Sequence, residues 1–161
     1  MGFWYSTIFS DECSIERGAG HRRPWVWRYP EEKMHKNMTQ PVNKSKDIKV
    51  MVWAAICNNS RSDLICMRRD TEARKGYTAE SYMYALELGL PSIHNSERLF
   101  QQDNAPIHKA RKTMAFFRES GIKLLENWPP YSLDLNPIEH LWPHVKQKVY
   151  ELYPELSLIH I

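Results

Sequence analysis

One segment of the sequence constrains the fold more than any other: residues 49–56, which read Lys-Val-Met-Val-Trp-Ala-Ala-Ile. The segment is nearly continuously apolar and contains neither glycine nor proline. Its length and composition predict a β-strand that is buried on both faces, as in the middle of a sheet covered by helices. Strand-like and helix-like patterns alternate from this segment onward, which indicates a layered α/β fold.

Further strands are predicted from short β-prone runs, at residues 5–10, 25–28, 64–67, 98–102 and 122–125. The run 64–67 is expected to pair back onto the central strand, because the Asn-Asn-Ser turn at residues 58–60 reverses the chain. Asp11 and Asp103 each stand at the end of one of these predicted strands.

Helical spacing dominates the second half of the chain. The first helix is predicted to begin at the cap residue Thr78 and to end near Gly89. The second is expected to stop at Gly121, because glycine suits a C-terminal cap. The residues expected to face the core from these two helices are Tyr82, Ala85, Leu86, Ala110, Thr113, Met114 and Phe117.

The last helix follows a proline-rich connection at residues 128–132. Asn136 is its predicted cap, with Pro137 at the first helical position and Glu139 at the third, a pattern close to a capping box. Pro143 lies inside this predicted helix, where a missing backbone donor costs about 3 kcal/mol. The predicted core face consists of Ile138, Leu141, Trp142, Val145 and Val149.

The composition suits a single globular domain of 161 residues, with 42% hydrophobic and 25% charged residues. No apolar run approaches the roughly 18 residues of a membrane span, and the N-terminus lacks the basic and apolar regions of a secretory signal. We therefore expect no membrane association. Three cysteines form no Cys-x-x-Cys pair and leave an odd thiol, which is typical of a reducing compartment.

The net charge of +3 is unevenly distributed along the chain. Nine Lys or Arg residues lie between Arg17 and Lys49, together with three acidic residues. A basic stretch on an otherwise slightly acidic chain could steer the protein toward phosphates. Charge alone favours the simpler interpretation, a solvated loop.

Three acidic residues occupy positions that suit a shared site. Asp11 and Asp103 end predicted strands, and Glu139 lies in the first turn of a helix; the crevice beyond strand ends is where ligands collect in α/β sheets. Converging carboxylates repel one another unless cations neutralise them, and oxygen-only ligation is the magnesium pattern. Two such ions, roughly 3.5–4 Å apart, can activate a water or 3′-hydroxyl and stabilise the leaving oxygen of a phosphodiester. Taken singly, each acid is more simply explained as a turn or cap residue.

The segments around these acids are distinctive. Residues 9–12 (Phe-Ser-Asp-Glu) and 102–108 (Gln-Asp-Asn-Ala-Pro-Ile-His) resemble the segments around the first and second catalytic Asp of mariner-type transposases. Residues 128–142 (Trp-Pro-Pro-Tyr-Ser-Leu-Asp-Leu-Asn-Pro-Ile-Glu-His-Leu-Trp) resemble the family's third-acid signature almost word for word. Residues 52–56 and 76–82 match in kind and order. The resemblance covers about residues 7–155, and the two long motifs are highly specific.

The resemblance implies a ribonuclease H-like fold, with a mixed central sheet flanked by helices. It implies that Asp11, Asp103 and Glu139 form a DDE triad and ligate two Mg²⁺ or Mn²⁺ ions. The implied activity is hydrolysis at transposon ends followed by strand transfer into target DNA. DNA is then the main partner, a homodimer or a full-length transposase is a further expectation, and the family implies a nuclear location.

The chain also departs from the family pattern. Leu133 stands where the family has Pro, and 35 residues separate Asp103 from Glu139, one more than is typical, with Asn127 as the apparent insertion. Ten residues precede Asp11, so residues 1–161 are expected to form a single catalytic domain without the helix-turn-helix modules that read transposon ends. Two alternatives stay open. The first is a decayed or domesticated fragment that binds DNA or a partner transposase without catalysis. The second is a ribonuclease H-like nuclease that acts on RNA-containing duplexes.

Two further residues are candidates for contact with DNA. Lys146 lies seven residues after Glu139, on the same face of the predicted helix, where it could hold a phosphate; an ordinary solvated lysine is the alternative. His108 follows Asp103 closely and could line the cleft, with packing in the loop as the alternative. His140 and His144 have the spacing of a zinc pair, but no third ligand accompanies them.

Overall fold

The computed structural model describes residues 2–16, 29, 49–72, 76–130 and 132–154. The strand predicted at residues 25–28 lies outside the described residues, as does the basic stretch except for Lys49, its last residue. None of the helices in the described part of the chain is both long and apolar enough to cross a membrane.

The described residues form a mixed sheet of six strands. Its strands are β1 (Thr7–Glu16), β2 (Lys49–Cys57), β3 (Ser60–Arg61), β4 (Ile65–Cys66), β5 (Leu99–Gln101) and β6 (Lys123–Leu124). The order across the sheet is β3-β2-β1-β5-β6, and β4 also pairs with β2. β1 and β2 are antiparallel, whereas β5 runs parallel to both β1 and β6. The sheet is therefore mixed, as the family resemblance implies.

In the described part of the chain, three α-helices flank this sheet: α1 (Ala79–Gly89), α2 (Arg111–Glu119) and α3 (Trp142–Leu152). Short 3₁₀ helices are found at Phe3–Ser6, Leu90–Ser92, Leu133–Leu135 and Pro137–His140. Thr78 caps α1 through a reciprocal pair of hydrogen bonds with Ser81, as its sequence predicts. Gly121 follows α2 with a φ of +67°, a conformation that glycine adopts without steric cost.

The alternation of side chains along β2 explains why nearly all of its residues are apolar. Trp53, Ala55 and Cys57 point into a core shared with α1 and α2. Val52 belongs to a second cluster on the opposite face, which includes Ile138 and Trp142 from the C-terminal segment. Successive side chains of a strand point to opposite faces, so the predicted burial of this strand on both faces is confirmed.

Two boundaries differ from the sequence prediction. Asp11 lies within β1 rather than at its end, because β1 stays paired with β2 as far as the Glu16–Lys49 pair. The parallel pairing of β1 with β5 ends earlier, at Phe9 and Gln101. Asp11 therefore lies just beyond the point where β5 ends, on the same face of β1 as Phe9, although β1 itself continues.

The predicted last helix is divided in two. The Pro137–His140 turn ends at Leu141, and α3 begins at Trp142. Pro143 therefore lies in the first turn of α3, where a backbone donor has no intrahelical partner to lose, and the predicted cost of this proline was wrong. Leu141 and Met114, both predicted core residues, are 41% and 38% exposed.

Candidate active site

Asp11, Asp103 and Glu139 open onto one cleft of about 380 Å³. The other residues that line it are Gln101, Asn104, Ala105, Trp128, Pro129, Pro130, Ser132, Leu133 and Asn136. The structure thus brings together the three acids that the sequence singles out. Their catalytic and metal-binding roles stay predictions.

The strand β1 positions Asp11. Its Oδ2 accepts a hydrogen bond from Trp142 Nε1 at 2.8 Å, so the indole holds one oxygen of the carboxylate. Burial raises the pKa of Asp11 from its ordinary value of 3.8 to about 7; the Trp142 bond opposes this, and the charges of Glu12 and Glu139 add to it. A carboxyl with this environment is suited to a nearby cation, which stabilises its charged form.

The end of β5 positions Asp103, which begins a tight loop. Its Oδ1 accepts a hydrogen bond from Ala105 N at 2.8 Å and lies 2.6 Å from His108 Nδ1. The hydrogen bond from His108 keeps the pKa of Asp103 below its ordinary value. Both contacts involve Oδ1, so among the described residues Oδ2 has no hydrogen-bond donor.

The 3₁₀ helix Pro137–His140 carries Glu139, and Asn136 fixes that helix to the sheet. Asn136 Oδ1 accepts from Ile138 N at 3.4 Å, which confirms the predicted cap. Its Nδ2 donates to Ser10 O at 3.2 Å. A single buried amide therefore starts the turn and attaches it to β1, one residue before Asp11.

His108 is buried, with 2% of its surface exposed. Its Nδ1 faces Asp103, its Nε2 lies 3.2 Å from Glu12 Oε1, and its ring packs 4.2 Å from the Tyr82 ring. Burial would lower the pKa of His108, but the hydrogen bonds to Asp103 and Glu12 outweigh it and raise the pKa to about 10. Protein groups enclose the ring, which is the packing that the sequence analysis gave as the alternative. A contact between His108 and DNA stays a prediction.

Lys146 does not line the cleft. It lies half-buried on α3 near Cys13, where burial raises the pKa of the thiol and the Lys146 charge opposes that change. Glu139 belongs to the preceding 3₁₀ helix rather than to α3, so the two residues do not share one helix face as the spacing suggested. A contact between Lys146 and DNA stays a prediction.

Gln101 is a site residue that the sequence analysis missed. The side chain is fully buried at the cleft, and Ser10 N donates to its Oε1 at 3.3 Å. This contact fixes the amide orientation, and Nε2 is left without a partner among the described residues. The signal was present: Gln101 lies two residues before Asp103, and alternate residues of a strand share a face. Asn136, Glu12 and Trp142 were recognised only as cap, motif and core residues.

The donor set of the cleft fits a hard divalent cation. Three carboxylates without thiol or imidazole in the same cleft match the oxygen ligation that Mg²⁺ and Mn²⁺ prefer. Within the described ranges, however, no three His, Cys, Asp or Glu side chains converge closely enough to form a preassembled cage. Trp142 and His108 each hold one oxygen of an aspartate, so a cation would be held by remaining oxygens after small side-chain rotations.

Asp11 makes metal-free stability depend on pH. The folded-state pKa of Asp11 is about 7, above the ordinary value of 3.8 that applies in the unfolded chain. The contribution of protonated Asp11 to the free energy of unfolding is therefore fully present below pH 3.8 and is lost as the pH rises through about 7. The Asp11→Asn variant should therefore have a higher Tm than the wild type, by a margin that widens between about pH 5 and about pH 8. Thermal melts in EDTA measure this margin, with exposed Asp63→Asn as the control. A margin independent of pH would contradict the prediction.

Comparison with known proteins agrees with the geometry. Residues 6–156 match the family model described as DDE superfamily endonuclease. The Tcb2 transposase of Caenorhabditis briggsae is 30% identical over 147 residues, which are 91% of this chain and 52% of that protein. The Tc3 transposase of Caenorhabditis elegans is 30% identical over 159 residues, 96% of this chain and 46% of that protein. The chain thus spans about half the length of these relatives.

Among solved structures, the Mos1 mariner paired-end complex with Mn aligns with a TM-score of 0.61 at 17% identity, over 96% of this chain and 51% of that one. At this identity the likeness concerns the fold alone, and it confirms the ribonuclease H-like architecture. The family match covers nearly the whole chain and includes all three acids. The chain therefore belongs to the family described as DDE superfamily endonuclease.

Proposed function

We propose that this chain is the catalytic core of a DNA transposase, which hydrolyses phosphodiesters at transposon ends and transfers the freed 3′ ends into target DNA. The observation that carries the proposal is the opening of Asp11, Asp103 and Glu139 onto one cleft. The transposase names of the relatives support DNA as the substrate. The paired-end complex of Mos1 supports assembly on paired DNA ends. We extend this to a homodimer or an assembly with a full-length transposase, located in the nucleus of a eukaryotic host.

In this proposal the three acids hold two Mg²⁺ or Mn²⁺ ions. The ions supply charge neutralisation and activation of the attacking oxygen. Trp142 and His108 limit the rotation of Asp11 and Asp103, which keeps the ligands close to one geometry before substrate binds. The buried Gln101 Nε2, which has no partner among the described residues, could donate to a phosphate oxygen only after its side chain turns toward the cleft. The apolar wall formed by Trp128, Pro129 and Pro130 limits the access of bulk water.

The test is metal-dependent cleavage and joining of DNA by the whole chain. Duplexes that carry pre-processed ends of a Tc1-type element are incubated with the protein and a supercoiled plasmid target. We expect nicking and strand-transfer products with Mn²⁺ or Mg²⁺, and none in EDTA. Asp103→Asn, purified in the same way, should be inactive, which excludes a contaminating nuclease. Activity that persists in EDTA or in this variant would falsify the proposal.

The outcomes also distinguish the alternatives. Binding of the same duplexes without any turnover, in either metal, would identify a DNA-binding fragment. Preferential cleavage of an RNA–DNA hybrid of the same sequence would identify a ribonuclease instead.

A further inference from the structure

The group that connects the two faces of the sheet at the cleft is His108. β1 presents alternate side chains to opposite faces: Asp11 faces the cleft, and Glu12 faces the side of α1 and α2, where Tyr82 lies. His108 lies between Glu12 and Asp103 and touches a carboxylate with each ring nitrogen. The buried His108 ring therefore connects Glu12, on the face of the sheet covered by α1 and α2, with Asp103, an acid of the cleft.

We propose that His108 is a positioning residue, which holds Oδ1 of Asp103 so that Oδ2 is presented to a divalent cation. Glu12 and the Tyr82 ring fix the imidazole from behind. This inference rests on the proposed function, because it assigns a purpose to Asp103 as a metal ligand. It goes beyond that function by naming a residue that does not itself touch the cation.

The loop geometry supports this division of the two oxygens. Ala105 N and His108 Nδ1 both reach Oδ1 of Asp103, at 2.8 and 2.6 Å. The loop is closed on itself by the hydrogen bond from His108 N to Ala105 O at 3.0 Å. His108 Nδ1 also lies 3.3 Å from the backbone O of Asp103, so these contacts together restrict the rotation of the carboxylate. The loop therefore limits the positions that Oδ2 can take before a cation binds.

Replacing a group that orients a metal ligand commonly lowers the metal affinity by roughly ten- to a hundredfold. A histidine that serves packing alone contributes to stability and leaves the affinity of folded protein unchanged. Two substitutions separate these roles because each amide copies one ring nitrogen. The Asn amide nitrogen reaches about where Nδ1 lies, and the Gln amide nitrogen reaches about where Nε2 lies. Asn therefore keeps the bond to Asp103, and Gln keeps the bond to Glu12.

The experiment compares the wild type, His108→Asn and His108→Gln as whole chains. Mn²⁺ affinity is measured by electron paramagnetic resonance of the free ion, and stability by thermal melts in EDTA. We expect His108→Gln to weaken Mn²⁺ binding about ten- to a hundredfold, with His108→Asn much closer to the wild type. Both variants should lower the Tm, because each leaves one of the two carboxylates that contact the buried His108 ring without its partner.

Equal Mn²⁺ affinity in the wild type and both variants would overturn the positioning role and leave the proposed function standing. Equal weakening in both variants would also overturn it, since the effect would then follow stability. A wild type that binds no Mn²⁺ would overturn both proposals. A second readout needs no variant: the ring ¹⁵N resonances of His108 should shift as Mg²⁺ is added to the wild type. Resonances that do not move would contradict the inference even if His108→Gln fails to fold.

Discussion

Replacing Glu139 with Gln should lower metal-dependent DNA cleavage by about a thousandfold or more, with little loss of stability. The substitution keeps the size and hydrogen-bonding capacity of the side chain but removes its charge. Ligands that act as a unit lose nearly all of their effect when any one is removed. A neutral amide oxygen is also a much weaker ligand for a hard cation than a carboxylate. Glu139 is half-buried at the surface of the cleft, so the fold does not depend on it.

The position of Glu139 makes the expected effect specific. Asn136 ties the 3₁₀ turn to Ser10 O, so the carboxylate is carried on a segment attached to the strand of Asp11. Asp134 lies five residues earlier in the same segment, but it is exposed and does not line the cleft. Asp134→Asn removes the same charge from the same loop and is the matched control. We expect it to keep activity within a few-fold of the wild type.

Initial rates of nicking, measured at saturating Mn²⁺ and again at limiting Mn²⁺, check this prediction. We expect Glu139→Gln to lose nicking activity at both Mn²⁺ concentrations, because the missing charge is needed for the chemistry as well as for cation binding. Recovery of Glu139→Gln at high Mn²⁺ would show that Glu139 only tightens cation binding. Comparable losses in Asp134→Asn would mean that the charge of the loop matters rather than this ligand.

The sequence predicted the acidic residues of the cleft better than the residues that hold them in position. Asp11, Asp103 and Glu139 lie in distinctive motifs, so their order and spacing identify them without any knowledge of contacts. The burial of β2 on both faces follows from its continuous apolar run, and the caps Thr78 and Asn136 follow from local hydrogen bonding. These features depend on a few neighbouring residues, which is why the sequence suffices for them.

The features that could not be predicted depend on partners far along the chain. β1 is longer than its own apolar run because its pairing with β2 continues to Glu16. The last helix divides after His140 because Asn136 docks its first turn onto Ser10, 126 residues away. Glu12 was visible in the motif, but only the position of His108, 96 residues later, gives it a partner. Tertiary contacts decided each of these cases.

The largest effect on stability is expected where α1 crosses β2. A Cβ added at Gly89, the last residue of α1, would lie 2.2 Å from Cζ3 of Trp53. The indole is completely buried, so it has no free space into which to move. We therefore expect Gly89→Ala to lower the free energy of unfolding by about 1–3 kcal/mol, although alanine is otherwise the better helix residue. Urea denaturation followed by circular dichroism measures the change.

A double-mutant cycle with Trp53→Phe separates this clash from a general loss of packing. Phenylalanine removes the outer ring that the added Cβ would meet, at the cost of a cavity. If the clash is the cause, Gly89→Ala should cost much less in the Trp53→Phe background than in the wild type, which gives a strongly non-additive cycle. Gly121→Ala is the control for glycine itself, because its φ of +67° is strained for alanine but its Cβ would meet no atom within 4 Å; its cost should not change with residue 53. Gly89 has ordinary helical dihedrals, with φ of −91° and ψ of −36°, so an additive cycle would show that the cost of Gly89→Ala does not come from the close approach of α1 to Trp53.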